Sequence, residues 1–267
     1  MSENNIDVKE ILEFYVRAGV DEICGNDVFF QLNNSQKLND VKNVNVMTSE
    51  KQTSSYLAFD TKSAVNSAYE LCEKVSTIDE LKNVIKEFDG CSLKTGADNT
   101  VVGDGNCFAK VMFISKVPEV DENRIGQVFV GKCGQLFDKM LASIGLKRDD
   151  CYMCNLLPWR PPGNRTPHDN EVAVCLPFLK KQIEIVSPDI IFAFGGDVAN
   201  VLFENSDSIS KMRGKWLEYK TGNGKVINLM VGYHPEYFLK NPKQKAKAWM
   251  DLLRLKKKIE EDSNITC

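Results

Sequence analysis

Two periodicities divide the chain. Up to about residue 90, apolar residues recur three and four apart: Ile11, Leu12, Tyr15, Val16 and Val20 share one side of "VKEILEFYVRAGVDEIC", and "SAVNSAYELCEKV" and "STIDELKNVIKEF" repeat that helical spacing. In the last of these, Ser76 or Thr77 can cap a helix that carries Leu81, Val84, Ile85 and Phe88 on one side. From Lys110 onward, short apolar runs alternate with amphipathic ones. "KVMFIS", "CYMCNLL", "DIIFAFG" and "KVINLMVGY" read as strands. "GKCGQLFDKMLASIGL", with Cys133, Leu136, Phe137, Met140, Leu141 and Ile144 on one face, reads as a helix, as do "EVAVCLPFLKKQIEIV", "DVANVLF" and "KQKAKAWMDLLRLKKKIEE". Apolar strands separated by helices specify an α/β class. The expected architecture is a three-layer α/β/α arrangement with a mostly parallel four-stranded central sheet, plus a helical N-terminal extension.

Composition refines the organisation. "LNNSQKLNDVKNVNVMTSEKQTSS" is rich in Asn, Ser, Thr and Lys and has little to bury, which marks a linker. The expected units are an N-terminal helix over 1–30, a flexible linker over 31–60, a helical lead-in over 61–90 outside the main core, and the principal domain over 91–260. With 43% hydrophobic and 27% charged residues, 267 residues can bury one substantial core. No run approaches the roughly 18 apolar residues of a membrane span. The start, "MSENNIDVKE", is unlike a secretory signal, so a cytoplasmic protein without a membrane partner is expected, and a monomer. Nine cysteines, an odd number without short even spacing, read as reduced core thiols.

The net charge of −3 argues against indiscriminate coating of nucleic acid. Yet Lys240, Lys243, Lys245, Lys247, Arg254, Lys256, Lys257 and Lys258 crowd the C-terminal end, a face that is either merely solvated or suited to a phosphate backbone. In open α/β sheets, ligands sit beyond the carboxyl ends of the strands. The segments there, "SKVPEVDENRIGQVFVG", "LPWRPPGNRTP", "GGDVA" and "YHPEYFLKNP", flank or contain Phe129, Asn155, Arg160, Arg165 and His234. An amide such as that of Asn155 offers a donor beside an acceptor, although a turn asparagine would look the same. His234 can stabilise a developing anion or can simply open a His-Pro turn. Cys151 and Cys154 lie three apart on a strand, so their sulfurs point to opposite faces and suit no shared metal. "GDGN" at 103–106 reads as a turn.

From about Gly90 to Lys258 the chain resembles the family 4 uracil-DNA glycosylases. The resemblance lies in "DGCSLK", "NTVVGDGN", "GQVFVGKCGQLFDKML", "CNLLPWRPPGNRTP", "CLPFLKKQIEIVSPDIIFAFGG", "MRGKW" and "HPEYFLKNPKQKAKAWMDL". It implies a base excision repair hydrolase acting on uracil-containing DNA. Phe129 would stack on the flipped uracil, Asn155 would read its edge and His234 would steady the departing base. It also implies an apolar wedge at Phe238 and Leu239, with Arg165, Lys240 and Lys245 on the DNA.

Two departures from the family pattern stand out. Where the family has Gly-Glu-Ala-Pro-Gly, this chain has Ser115-Lys116-Val117-Pro118-Glu119, so the acid that positions water is replaced by Lys116. A protonated lysine neither accepts a proton nor stabilises a sugar cation; Glu122 survives and could partly compensate. The family's four cysteine ligands of a [4Fe–4S] cluster correspond here to Cys91 and Cys175, with Phe88 and Trp159 at the other two positions. Two thiolates do not meet the usual requirement, so no cofactor is expected. Three functions compete: a glycosylase slowed by Lys116, a catalytically impaired uracil-DNA or damaged-DNA binding protein, and a lyase in which the Lys116 amine attacks the sugar.

Overall fold

The central strands are short because each is an apolar run ended by polar or glycine residues. In the computed structural model, which describes residues 61–264, they are β2 (Val111–Ser115), β3 (Cys151–Asn155), β4 (Ile190–Phe194) and β6 (Val226–Gly232). The N-terminal helix (1–30) and linker (31–60) expected from sequence lie outside the described residues. The four strands run parallel, and two antiparallel edge strands, β1 (Gly103–Gly105) and β5 (Trp216–Lys220), extend the sheet to six in the order β1-β3-β2-β4-β6-β5.

The turn expected at 103–106 therefore begins with a strand, Gly103–Gly105. Its glycines allow it: at Gly105, with φ +102°, a Cβ would lie 2.2 Å from the Cys151 carbonyl oxygen. The hairpin from β5 to β6 pairs Trp216 with Met230 and Lys220 with Val226.

Side chains alternate across the sheet with period two, and two hydrophobic clusters form, one on each face. Met112, Ile114, Tyr152, Cys154, Ile191, Ala193 and Val231 join one cluster; Val111, Phe113, Cys151, Met153, Phe192, Phe194 and Met230 join the other. Cys151 and Cys154 thus face opposite sides, as their spacing requires.

Helices cover both faces. On the first lie α1 (Thr61–Glu73), α2 (Ile78–Glu87) and α5 (Asp169–Val186). The Thr77 hydroxyl caps α2 by accepting the Glu80 N–H at 3.2 Å. The lead-in helices do not lie outside the core: Ala68, Leu81 and Ile85 belong to its first cluster, and the Phe88 ring meets Phe178 edge-on at 5.0 Å. Leu81 and Ile85, four apart, put their apolar side against α5 because that is the stripe the sequence makes water-averse. The second face is covered by α4 (Gly131–Ser143), through Phe137 and Leu141, and by α9 (Lys245–Asn264), through Leu252 and Leu255. No helix among the described residues is long and apolar enough to cross a membrane.

The ends of β2, β3, β4 and β6 carry the loops that matter. After β2 comes a short helix, α3 (Val120–Ile125), within the segment "SKVPEVDENRIGQVFVG". Glu122 starts it by accepting the Glu119 N–H at 3.0 Å, and Gly126 ends it at φ +84°. After β4 comes α6 (Gly196–Phe203), followed by α7 (Ile209–Met212) before β5; after β6 comes α8 (Pro235–Lys240).

Candidate active site

Asn155 is the last residue of β3, in register with Ser115 of the neighbouring strand. It is 2% exposed, and neither Nδ2 nor Oδ1 has a hydrogen-bond partner among the described residues. A buried amide left unpaired on both atoms costs about 1–3 kcal/mol per group, so such a group in a native fold calls for a ligand or another explanation.

Phe129, in the loop between α3 and α4, has φ +50°, a strained value for a bulky residue. Its backbone is held at both ends. The N–H donates to Glu122 Oε1 at 2.5 Å, and the carbonyl accepts from the Arg148 guanidinium, which also bonds Asp138 at 2.6 Å. Helix α4 comes close only because residue 134 is glycine: a Cβ there would overlap the Phe129 carbonyl oxygen at 1.8 Å. The buried Phe129 ring stacks on Phe137 at 4.2 Å and faces the His234 ring at 5.9 Å, 27° from parallel.

His234 caps α8, its Nδ1 accepting the Glu236 N–H at 3.3 Å. An accepting Nδ1 in a neutral ring leaves the proton on Nε2. That atom is buried and unpartnered among the described residues. Burial lowers the imidazole pKa to about 4, so the ring is neutral near pH 7.

The acids have different neighbours. Glu122 is 1% exposed, with both oxygens committed to backbone N–H groups, those of Glu119 and Phe129. Burial raises its pKa against the pull of those donors and of the nearby Asn155 amide. Glu119 is half-buried and lies with Glu236 and Lys240 on the wall of a cleft of about 210 Å³. One carboxyl oxygen each of Glu119 and Glu236 and one ring nitrogen of His234 all lie within 4.8 Å of one another. Burial, and then the neighbouring Glu236, push Glu119 up to about 7. Lys116 points to a different partner, Asp197 of α6, at 2.6 Å.

Several side chains expected on DNA have partners within the protein. Phe238, expected as part of the wedge, is 1% exposed and packs among Tyr233, Tyr237 and the second cluster, whereas Leu239 is 41% exposed. Arg165 is engaged by a two-pronged pair with Glu171 at 2.6 and 2.8 Å, and Lys240 by Glu236 at 2.6 Å. The far half of the basic face is internally neutralised, with Lys256, Lys257 and Lys258 paired one turn on with Glu260, Glu261 and Asp262. Lys243, Lys245 and Lys247, which follow Leu239 closely in the chain, are exposed.

Cys91 and Cys175 meet at 3.9 Å between sulfurs, buried, with the Cys175 thiol donating to Cys91. That bond holds the Cys175 proton in place and pushes its pKa up. Phe88 is packed on Phe178, and the buried Trp159 donates Nε1–H to Thr100 at 3.0 Å. No third thiol, imidazole or carboxylate among the described residues joins the pair in a ligand-sized group. The residues therefore do not fit a four-thiolate cluster.

Sequence reading missed Arg148 and Asp197, which act through partners distant in the chain, and gave Glu119 no role.

Residues 102–253 match the family described as the uracil DNA glycosylase superfamily. The chain is similar to the type-4 uracil-DNA glycosylase of Thermotoga maritima, 38% identical over 158 residues, 59% of this chain and 80% of that protein. It is similar also to that of Archaeoglobus fulgidus, 36% identical over 172 residues, 63% of this chain and 86% of the relative. The counterpart in Sulfurisphaera tokodaii is 33% identical over 193 residues, 70% and 82% of the two chains.

Proposed function

The chain belongs to the uracil DNA glycosylase superfamily, and from that membership and the geometry of its site we propose that it is a base excision repair glycosylase, hydrolysing the N-glycosidic bond of uracil in DNA to leave an abasic site. The observation that carries this reading is a set of buried atoms unpartnered among the described residues: Asn155 Nδ2 and Oδ1, near the Glu122 that holds the Phe129 backbone, and His234 Nε2, on the ring that faces Phe129.

Uracil presents a carbonyl acceptor next to an N3–H donor. Asn155 answers both, its Nδ2–H donating to the carbonyl and its Oδ1 accepting N3–H. Phe129 offers a π-face held in place from below by Phe137. As the bond from the base to the sugar breaks, its electron pair leaves with the base, and negative charge grows on the uracil oxygens. The neutral His234, donating from Nε2, stabilises that charge without giving up its proton. Glu122 acts as a positioning residue, fixing the Phe129 backbone. Leu239 fills the gap left in the duplex, and Lys243, Lys245 and Lys247 neutralise phosphates beside it.

The protein works without an iron–sulfur cluster: among the described residues no further ligand joins the Cys91–Cys175 pair, and the resemblance puts Phe88 and Trp159 where the family has its other two cysteines. It acts as a monomer in the cytoplasm. The competing reading, a protein that binds uracil-DNA without cleaving it, is favoured by the Lys116–Asp197 pair, which leaves no acid at the family's usual place. Incubation of the purified protein with uracil-containing DNA, with free uracil measured apart from strand cleavage, decides between them: released uracil supports the glycosylase, and tight binding without release the alternative.

A further inference from the structure

Hydrolysis through a cation-like sugar needs a carboxylate able to hold water and take its proton. Three side chains after β2 compete for that duty. Lys116 carries the wrong charge and is bound to Asp197 at 2.6 Å. Glu122 is sealed, with each oxygen already accepting a backbone N–H. Glu119 is half-buried, lines a cleft of about 210 Å³ and has an oxygen within 4.8 Å of a ring nitrogen of His234 and a carboxyl oxygen of Glu236. The base oxygen that meets His234 lies only a few bonds from the sugar carbon, so a carboxylate beside that imidazole can reach the carbon through one water.

We propose that Glu119 is the catalytic residue that holds the attacking water and accepts its proton, in place of the acid that Lys116 displaces. The inference rests on the glycosylase reading above. The bond between the sugar carbon and the uracil nitrogen breaks, and its electron pair leaves on the base. The water oxygen forms the new bond to the sugar carbon, and its proton passes to Glu119. The products are an abasic sugar, a protonated Glu119 and a uracil anion held by His234, which solvent later protonates.

The charged and titratable groups facing Glu119 are Glu122 on its own helix, His234, Glu236 and Lys240 at α8, Arg160 and Arg165 from the loop after β3, and Cys133 on α4. Burial and the Glu236 carboxylate raise Glu119 to about 7, while Lys240 opposes them. A base with that pKa is half-ionised near neutrality and becomes competent as pH rises.

The test is single-turnover uracil release across pH by the unaltered protein, Glu119→Gln and Glu119→Asp, alongside binding to uracil-DNA whose sugar is fluorinated so that it cannot be cleaved. The expected result is a rate that rises through about pH 7, falls about 100-fold or more in Glu119→Gln with the rise abolished, and partly recovers in Glu119→Asp, with binding retained. Release by Glu119→Gln at the native rate with the same pH rise overturns the assignment and leaves the glycosylase reading intact. An unaltered protein that binds but releases no uracil overturns both. If Glu119→Gln does not fold, the pH profile of the unaltered protein decides, and a flat profile around pH 7 overturns the proposal.

Discussion

The Glu122 carboxylate holds the backbone N–H of Phe129 at 2.5 Å, in the segment where Phe129 adopts φ +50°. A strained backbone persists only where its surroundings over-determine it. Glu122→Ala should therefore release the loop: charge-assisted hydrogen bonds contribute about 1.5–3 kcal/mol each, and two are lost. We expect a melting temperature lower by several degrees, together with weaker uracil-DNA binding. Unchanged binding in a folded variant would remove Glu122 from the positioning role.

Asn155 should trade stability for recognition. Its two unpartnered atoms cost the free protein stability, so Asn155→Leu, similar in volume and apolar, should melt at or above the native temperature while losing most uracil release. Asn155→Asp should lose discrimination between uracil and cytosine, because a carboxylate offers only acceptors. Retained discrimination in Asn155→Asp would rule out edge reading by this residue.

His234 should matter to chemistry more than to binding. Loss of one preorganised donor costs about 2.7–4 kcal/mol in comparable sites, so His234→Ala should slow release by roughly 100- to 1,000-fold with binding to uncleavable uracil-DNA nearly unchanged. The folded pKa, about 4, is depressed below the unfolded value. The unfolded chain therefore binds the extra proton first, and stability contributed by the neutral ring is lost as pH falls below the unfolded value toward about 4. Melting curves between those limits should show a smaller acid loss in His234→Ala than in the unaltered protein.

Lys116 should form no covalent intermediate. Its ammonium is engaged by Asp197, and borohydride treatment during turnover on uracil-DNA should trap no protein–DNA adduct. An adduct lost in Lys116→Met would establish the amine mechanism instead. Lys116→Glu should not accelerate release, since it places a second negative charge beside Asp197 and is expected to turn away from it.

Purified anaerobically, the protein should be colourless, and chelators should leave its melting temperature unchanged, because among the described residues Cys91 and Cys175 have only each other as sulfur neighbours in a ligand-sized group. About four irons per chain would show that the two missing ligands are supplied from elsewhere.

Much of this protein was legible along the chain. Apolar runs such as "KVMFIS" and "DIIFAFG" declare buried parallel strands because both their faces avoid water. The period of two puts Cys151 and Cys154 on opposite faces whatever the sheet order. Phe129, Asn155 and His234 could be assigned to one end of the sheet from their positions at or beyond the carboxyl ends of β2, β3 and β6 and from the family resemblance.

Tertiary structure alone decided which charges meet. Lys116 and Asp197 are 81 residues apart, and only the adjacency of β2 and β4 brings their loops together. Glu119 and Glu122 are alike in sequence and three apart, yet one is consumed by backbone donors while the other faces His234 and Glu236. Phe238 and Leu239 are equally apolar neighbours, but the direction of α8 buries the first and exposes the second. Periodicity reports only which side of an element avoids water. The partner of a polar group depends on strand order and register, which arise when distant segments pack.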